Sequence, residues 1–162
     1  MGLETIKDTS LRNNWERFIN YAYVEFEKKG IDLDFNNFKY DGSYAKAKGP
    51  LPAVNFAFAQ DSQRTWVELE LKSRTSKGER YSQDDLYLYL KKNTKMNNSN
   101  AFSEITWNEE DIQQTSRSPA GKDIRIKIYL NSDNMELWVS SMCRLVEIFM
   151  PILVKYQMQN KS

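Results

Sequence analysis

The chain has 162 residues, of which 40% are hydrophobic and 13% aromatic. It carries 23 basic and 22 acidic side chains, a net charge of +1, and no histidine. That composition argues against disorder over most of the length, no run approaches the ~18–20 uninterrupted apolar residues of a membrane span, and without histidine neither Ser-His nor Cys-His catalysis nor a His-ligated metal is open to the chain.

The length suits one core, so residues 1–162 are expected to form a single globular domain, with about 1–9 and 158–162 flexible. Leu11, Trp15, Phe18, Ala22 and Phe26 recur at three- and four-residue steps, which predicts a helix from about Leu11 to Lys29. Ser10 suits its N-cap and Gly30 its stop. Phe38-Lys39-Tyr40 and Tyr44-Ala45-Lys46 flank the turn signal Asp41-Gly42, and Gly49-Pro50-Leu51-Pro52 breaks the chain again. Val54, Phe56 and Phe58 then alternate with Asn55, Ala57 and Ala59. Trp66 to Lys72 alternates as well, and Asp61-Ser62-Gln63-Arg64 between the two runs predicts an antiparallel hairpin. Val67, Leu69 and Leu71 should face the core. Trp66, Glu68, Glu70 and Lys72 share the other side, expected to be solvated.

Ser73 to Arg80 is a polar, basic loop. Ser82 followed by Asp85 resembles a capping box, while Leu86-Tyr87-Leu88-Tyr89-Leu90 alternates like a strand; the cap favours helix. The Asn-rich stretch near 93–100 should fray. Ile105-Thr106-Trp107 suits a short strand or an extended packing segment, and Ile124, Ile126 and Ile128 predict a further strand. Ser132-Asp133 is expected to cap a long last helix bearing Trp138, Met142, Leu145, Phe149, Ile152 and Tyr156, kinked at Pro151. The order α-β-β-β-α-β-(β)-α predicts an α+β fold: a mainly antiparallel sheet of four to five strands packed by long N- and C-terminal helices. The lone Cys143 cannot form an internal disulfide and falls in an apolar helical pattern, so an inert core thiol and a cytoplasmic location are expected. Nothing in Met1-Gly2-Leu3-Glu4-Thr5 resembles a signal peptide.

Two constellations bear on function. Glu70-x-Lys72 matches the second half of a metal-dependent nuclease signature, in which carboxylates hold Mg²⁺ and a lysine two residues on stabilises charge. Glu68 or Asp41 would be the additional metal ligand, and the element order resembles the restriction-endonuclease-like core. That signature needs an acid on the preceding strand, where this chain has Asn55; Asp41 and Asp61 both sit in turns. The second constellation is basic and aromatic: Arg64, Lys72, Arg74, Lys77, Arg80, Lys91, Lys92 and Lys95, with Tyr81, Tyr87 and Tyr89 nearby, a combination suited to single-stranded nucleic acid. Glu68, Glu70, Glu79, Asp84 and Asp85 interrupt it. Gly78 stands alone, so no Gly-rich phosphate loop is present.

The chain also resembles a bacterial and archaeal domain family of unknown function marked by a Phe-Trp pair in its first helix. Here that pair reads Asn14-Trp15, followed by the similar Glu16-Arg17-Phe18. Trp66-Val67-Glu68-Leu69-Glu70-Leu71, Glu104-Ile105-Thr106-Trp107-Asn108-Glu109, Ile124-Arg125-Ile126, and Trp138 with Phe149-Met150-Pro151 resemble its later segments. Members occur alone or attached to nuclease-like domains, which implies an accessory role near nucleic-acid or defence systems. The expectation is therefore a non-enzymatic protein- or nucleic-acid-binding accessory module without cofactor or membrane contact, binding through Trp66, Lys72, Arg74, Lys77 and Arg80. The alternatives are a Mg²⁺-dependent nuclease using Glu70, Lys72, Glu68 and Asp41, and a small inhibitor of a defence nuclease.

Overall fold

The computed structural model describes residues 2–39, 42–73, 82–107 and 123–160, with side chains from residue 11 onward. Helix α1 runs over Gly2–Lys29, starting well before the expected Ser10 cap. It ends where the sequence pattern stops. Gly30 takes φ +69°, its N–H donates to the Glu27 carbonyl, and the Ile31 N–H reaches back to Phe26 at 2.9 Å, the paired bonds of a Schellman motif.

Five strands follow: β1 (Asn37–Phe38), β2 (Tyr44–Lys48), β3 (Val54–Gln60), β4 (Thr65–Leu71) and, after two helices, β5 (Ile124–Leu130). They form one sheet in the order β1-β2-β3-β4-β5, every neighbour antiparallel. The fold is thus α+β with an all-antiparallel sheet. Four strands, not three, precede the next helix, because Asn37 and Phe38 pair with Lys46 and Ala45 as a short ladder of their own.

The ambiguous 86–90 segment is helical. Helix α2 (Gln83–Asn97) starts at Ser82, whose hydroxyl accepts from the Asp85 N–H. A strand there would have left this cap without a role. The Asn-rich stretch does not simply fray. Asn98 accepts from the Ala101 N–H and starts a further short helix, α3 (Ser99–Glu104). Thr106 then makes an isolated antiparallel bridge to Lys127. Helix α4 (Met135–Gln159) is capped by Asn134 rather than Ser132-Asp133: the Asn134 side chain accepts from the Glu136 N–H, while Ser132 accepts from the Asn134 N–H. The helix continues through the exposed Pro151.

Both long helices cover the same face of the sheet. Phe18 of α1 stacks on Phe58 of β3 at 4.3 Å, and Phe58 in turn packs against Trp138 of α4 at 5.6 Å. Val67, Leu69, Leu71, Ile124 and Ile126 complete that buried layer. Trp107 joins it from the far end, edge-on to Tyr87 of α2 and to Phe149 of α4. By length and composition alone α4 is apolar enough to cross a membrane, despite Arg144 and Glu147. The expectation drawn from the sequence concerned an uninterrupted apolar run, and Arg144 and Glu147 interrupt this one. Eleven of the helix's residues, Trp138, Phe149 and Leu153 among them, are nevertheless buried in this core. Cys143 is 2% exposed, and burial raises its thiol pKa.

One buried polar side chain ties α1 to the sheet. Gln60, at the end of β3, donates to the carbonyls of Leu11 and Gly42 at 2.6 and 2.7 Å. Gly42 has φ +88°, and a β-carbon there would lie 2.5 Å from the Leu11 backbone. Only glycine permits so close an approach.

Candidate binding face of the sheet

Strand alternation sends every second residue away from the helices. The register aligns these residues into three rows across the sheet: Tyr44–Ala59–Trp66–Tyr129, Lys46–Ala57–Glu68–Lys127, and Lys48–Asn55–Glu70–Arg125. Trp66, Glu68 and Glu70 therefore share one face, as the alternation requires, but the face is not wet at its centre. Both glutamates are fully buried.

Their partners explain why charge is tolerated there. Lys46 Nζ reaches across Ala57 to both oxygens of Glu70, at 2.9 and 3.1 Å, and the Asn55 amide donates to Glu70 Oε1 at 3.1 Å. The Arg125 guanidinium bridges the two acids, 2.9 Å from Glu68 Oε2 and 3.4 Å from Glu70 Oε2, with Asp123 at 3.7 Å. The Trp66 indole donates to Glu68 Oε1 at 2.6 Å. Buried carboxylates held by two cations and by amide and indole donors are satisfied groups, not orphans. Burial raises the Glu68 pKa; the Arg125 charge and the Trp66 bond oppose the shift.

Around this centre the surface is cationic and aromatic. Lys127 Nζ lies 4.4 Å above the Trp66 ring, Arg64 lies 5.0 Å above Tyr129, and Lys46 lies 4.6 Å above Tyr44. The Trp66 and Tyr129 rings are 6.0 Å apart. Lys48, Arg64 and Lys72 are exposed, and among the described residues Lys48 and Lys72 have no ion-pair partner. Six cations of the face (Lys46, Lys48, Arg64, Lys72, Arg125, Lys127) outweigh three carboxylates (Glu68, Glu70, Asp123). The flanking Lys39 and Asp61 cancel. Asp133, at the Tyr129 end, lowers the excess among the described residues to two positive charges, on a chain of net +1. The aromatic row ends at a polar cleft of about 600 Å³ between the β3–β4 turn and the β5–α4 loop, lined by Arg64, Tyr129, Asn131 and Trp138. A larger groove of about 740 Å³ lies between α1 and α4, over Tyr21, Val24 and Cys143; its charged lining, Glu25, Lys28, Lys29 and Glu136, balances to zero.

No protein-family model, no curated protein and no solved structure matches the chain.

The sequence-predicted site residues divide accordingly. Trp66, Glu68 and Glu70 come together, and Lys72 stands exposed just beyond β4, its backbone N–H bonded to the Ala53 carbonyl. Asp41, Arg74, Lys77 and Arg80 lie outside the described residues. Of the expected tyrosine platforms, Tyr81 lies outside the described residues, Tyr87 is buried against Trp107, and Tyr89 is half-buried on Tyr156. Apolar burial drew the last two inward, where alternation alone left their side undetermined. Among the described residues, no three Asp, Glu or Cys side chains are grouped so as to hold a metal ion. The residues that complete the face, Tyr44, Lys46, Arg125, Lys127 and Tyr129, were not singled out from the sequence. The signal available was charge complementarity: Arg125-x-Lys127 lies opposite Glu68-x-Glu70 once β4 and β5 are paired.

Proposed function

We propose that the chain is a non-enzymatic, cytoplasmic binding module that contacts a macromolecule through the polar face of its sheet. One observation carries this reading. The two central acids of the face, Glu68 and Glu70, are buried and neutralised from within, while lysines, an arginine and three aromatic rings are arrayed around them. Such a surface is fixed in shape, positively charged and equipped with large aromatic anchors, the features of a recognition patch rather than of a reaction centre. Glu70, the residue a Mg²⁺-dependent nuclease would use, has both oxygens engaged by Lys46 and Asn55 and faces an amide where the nuclease signature has an acid. This favours binding over catalysis. The resemblance to the family with the Phe-Trp helix supports an accessory role beside prokaryotic defence or restriction systems.

The test is recovery of a partner from lysate by the wild type and by a Trp66→Ala/Arg64→Ala variant, with and without prior nuclease treatment. The wild type should retain a defined protein or nucleic acid that the folded double variant loses. Equal recovery by the two would refute this assignment of the surface.

A further inference from the structure

We infer that the partner of this face is single-stranded nucleic acid, with bases stacking on Tyr44, Trp66 and Tyr129 and phosphates following the lysines. The inference rests on the binding-module reading and adds the partner's chemistry to it.

The first argument is charge. Among the described residues the face carries two more positive than negative charges, and its two central carboxylates, Glu68 and Glu70, are buried beneath Lys46 and Arg125, while Asp61, Asp123 and Asp133 stay at the rim. Lys48, Lys72 and Arg64 are exposed cations that a polyanion would meet there. The second is the aromatic row. Cross-strand register puts three half-buried rings in one line, with only Ala59 between Tyr44 and Trp66, and a cation lies over each ring; a stacking base would take that cation's place and leave it to the adjoining phosphate. Every base has a π-face, so such a platform is tolerant of sequence. The third is shape. A sheet carrying rings on its face engages unstacked bases, whereas a duplex keeps its bases stacked and is read by elements that enter a groove. The cleft at the Tyr129 end offers a terminal base a polar recess.

Fluorescence anisotropy with a labelled oligo(dT) 12-mer, a duplex of equal length and a 12-residue polyglutamate tests the inference. The single strand should bind at least tenfold more tightly than the duplex. Its log affinity should fall with log salt at a slope of about −2 to −3, for three to four neutralised phosphates. Trp66→Ala should weaken it about tenfold, the scale of one lost stack. Because Trp66 also bonds to Glu68, the variant Lys48→Glu/Lys72→Glu provides a second arm. Both lysines are exposed and outside the buried network, so the fold is kept while affinity falls about tenfold and the salt slope flattens. Equal binding of duplex and single strand overturns the inference. So does polyglutamate binding, abolished by the lysine reversals, without oligonucleotide binding; that result leaves the surface intact with a protein partner. Binding that none of the variants changes, or no binding of any probe, overturns the inference and removes its support from this face.

Discussion

Replacing Arg125 with methionine isolates the feature on which the polar face depends. Methionine keeps much of the aliphatic stem and removes the guanidinium, so packing against β4 is largely preserved. What is lost is the bridge 2.9 Å from Glu68 and 3.4 Å from Glu70, two side chains with no solvent exposure. Removing one partner of a fully buried ion pair typically costs ~3–5 kcal/mol, because the remaining charge has neither water nor a counter-ion. Arg125 itself is 36% exposed, and Lys46 still neutralises Glu70, so the cost should be smaller. An expected loss of about 2–3 kcal/mol follows, or roughly 5–10 °C in melting temperature for a chain of this size.

The pH dependence makes this prediction specific. Glu68 has a folded-state pKa above its ordinary value of 4.5, chiefly through burial, with Arg125 as the largest opposing influence. A carboxyl whose pKa is raised by folding contributes stability below the unfolded value, and that contribution is lost as pH rises through the folded one. Without Arg125 the folded value climbs further, so the variant's deficit should be largest near neutrality and shrink as the pH falls and Glu68 becomes protonated. Thermal melts of both proteins between pH 4.5 and 7.5 read this directly. A deficit that does not change over that range, or one under 2 °C at pH 7, would refute the buried-bridge reasoning.

Other perturbations test the remaining parts of the structure. Gly42→Ala forces a β-carbon to 2.5 Å from the Leu11 backbone at φ +88° and should cost about 2 kcal/mol or more in urea denaturation; an unchanged midpoint would mean that α1 does not approach the β1–β2 turn. Gln60→Leu removes both bonds to the Leu11 and Gly42 carbonyls, with an expected loss of about 2 kcal/mol, and little loss would deny the tie. Cys143 should react with a thiol reagent at least a hundredfold more slowly in the native than in the urea-unfolded protein, since it is buried with a raised pKa; fast native labelling would contradict its place in the core. Mixed DNA and RNA incubated with the protein and Mg²⁺ or Mn²⁺ should remain intact. Metal-dependent cleavage abolished by Lys72→Ala would restore the nuclease reading.

Much of the architecture is legible because local patterns agree with one another. In α1 the stripe Trp15, Phe18, Ala22, Phe26 and the Gly30 stop both point to the same helix, and the structure buries that stripe. At 86–90 periodicity alone is undecided. The polar Ser82, three residues before an exposed Asp85, settles the matter because only a helix start uses that geometry. The errors fall where a single short-range signal has competitors. Ser10 suits a cap, yet the backbone is already helical from Gly2. Asn134 takes the capping role predicted for its two predecessors, since the three polar residues Ser132, Asp133 and Asn134 are all good cap types. Asn98 is a poor residue inside a helix but a good one at its start, so the Asn-rich run divides two helices instead of loosening one.

The buried glutamates expose a deeper gap between pattern and environment. Alternation assigns Glu68 and Glu70 to the side away from the helices; it carries no information about whether water reaches them. That depends on the cross-strand neighbours. Here the small Ala57 of β3 leaves room for Lys46 to extend from β2 to β4, and on the other flank Arg125 lies directly opposite Glu70 and one step from Glu68. Two acids on one strand would repel if left alone, and the two cations Arg125 and Lys127 on the adjoining β5 would do the same. Pairing the strands relieves both repulsions at once and favours this register over a slip by two residues, which would keep every apolar side chain on its face but misplace the charges. The ion network thus selects the alignment of β4 with β5 independently of the apolar core. The same pairing leaves the aromatic row and the exposed Lys48 and Lys72 on the side away from the helices, so the feature that fixes register also bears on which charges a partner can meet.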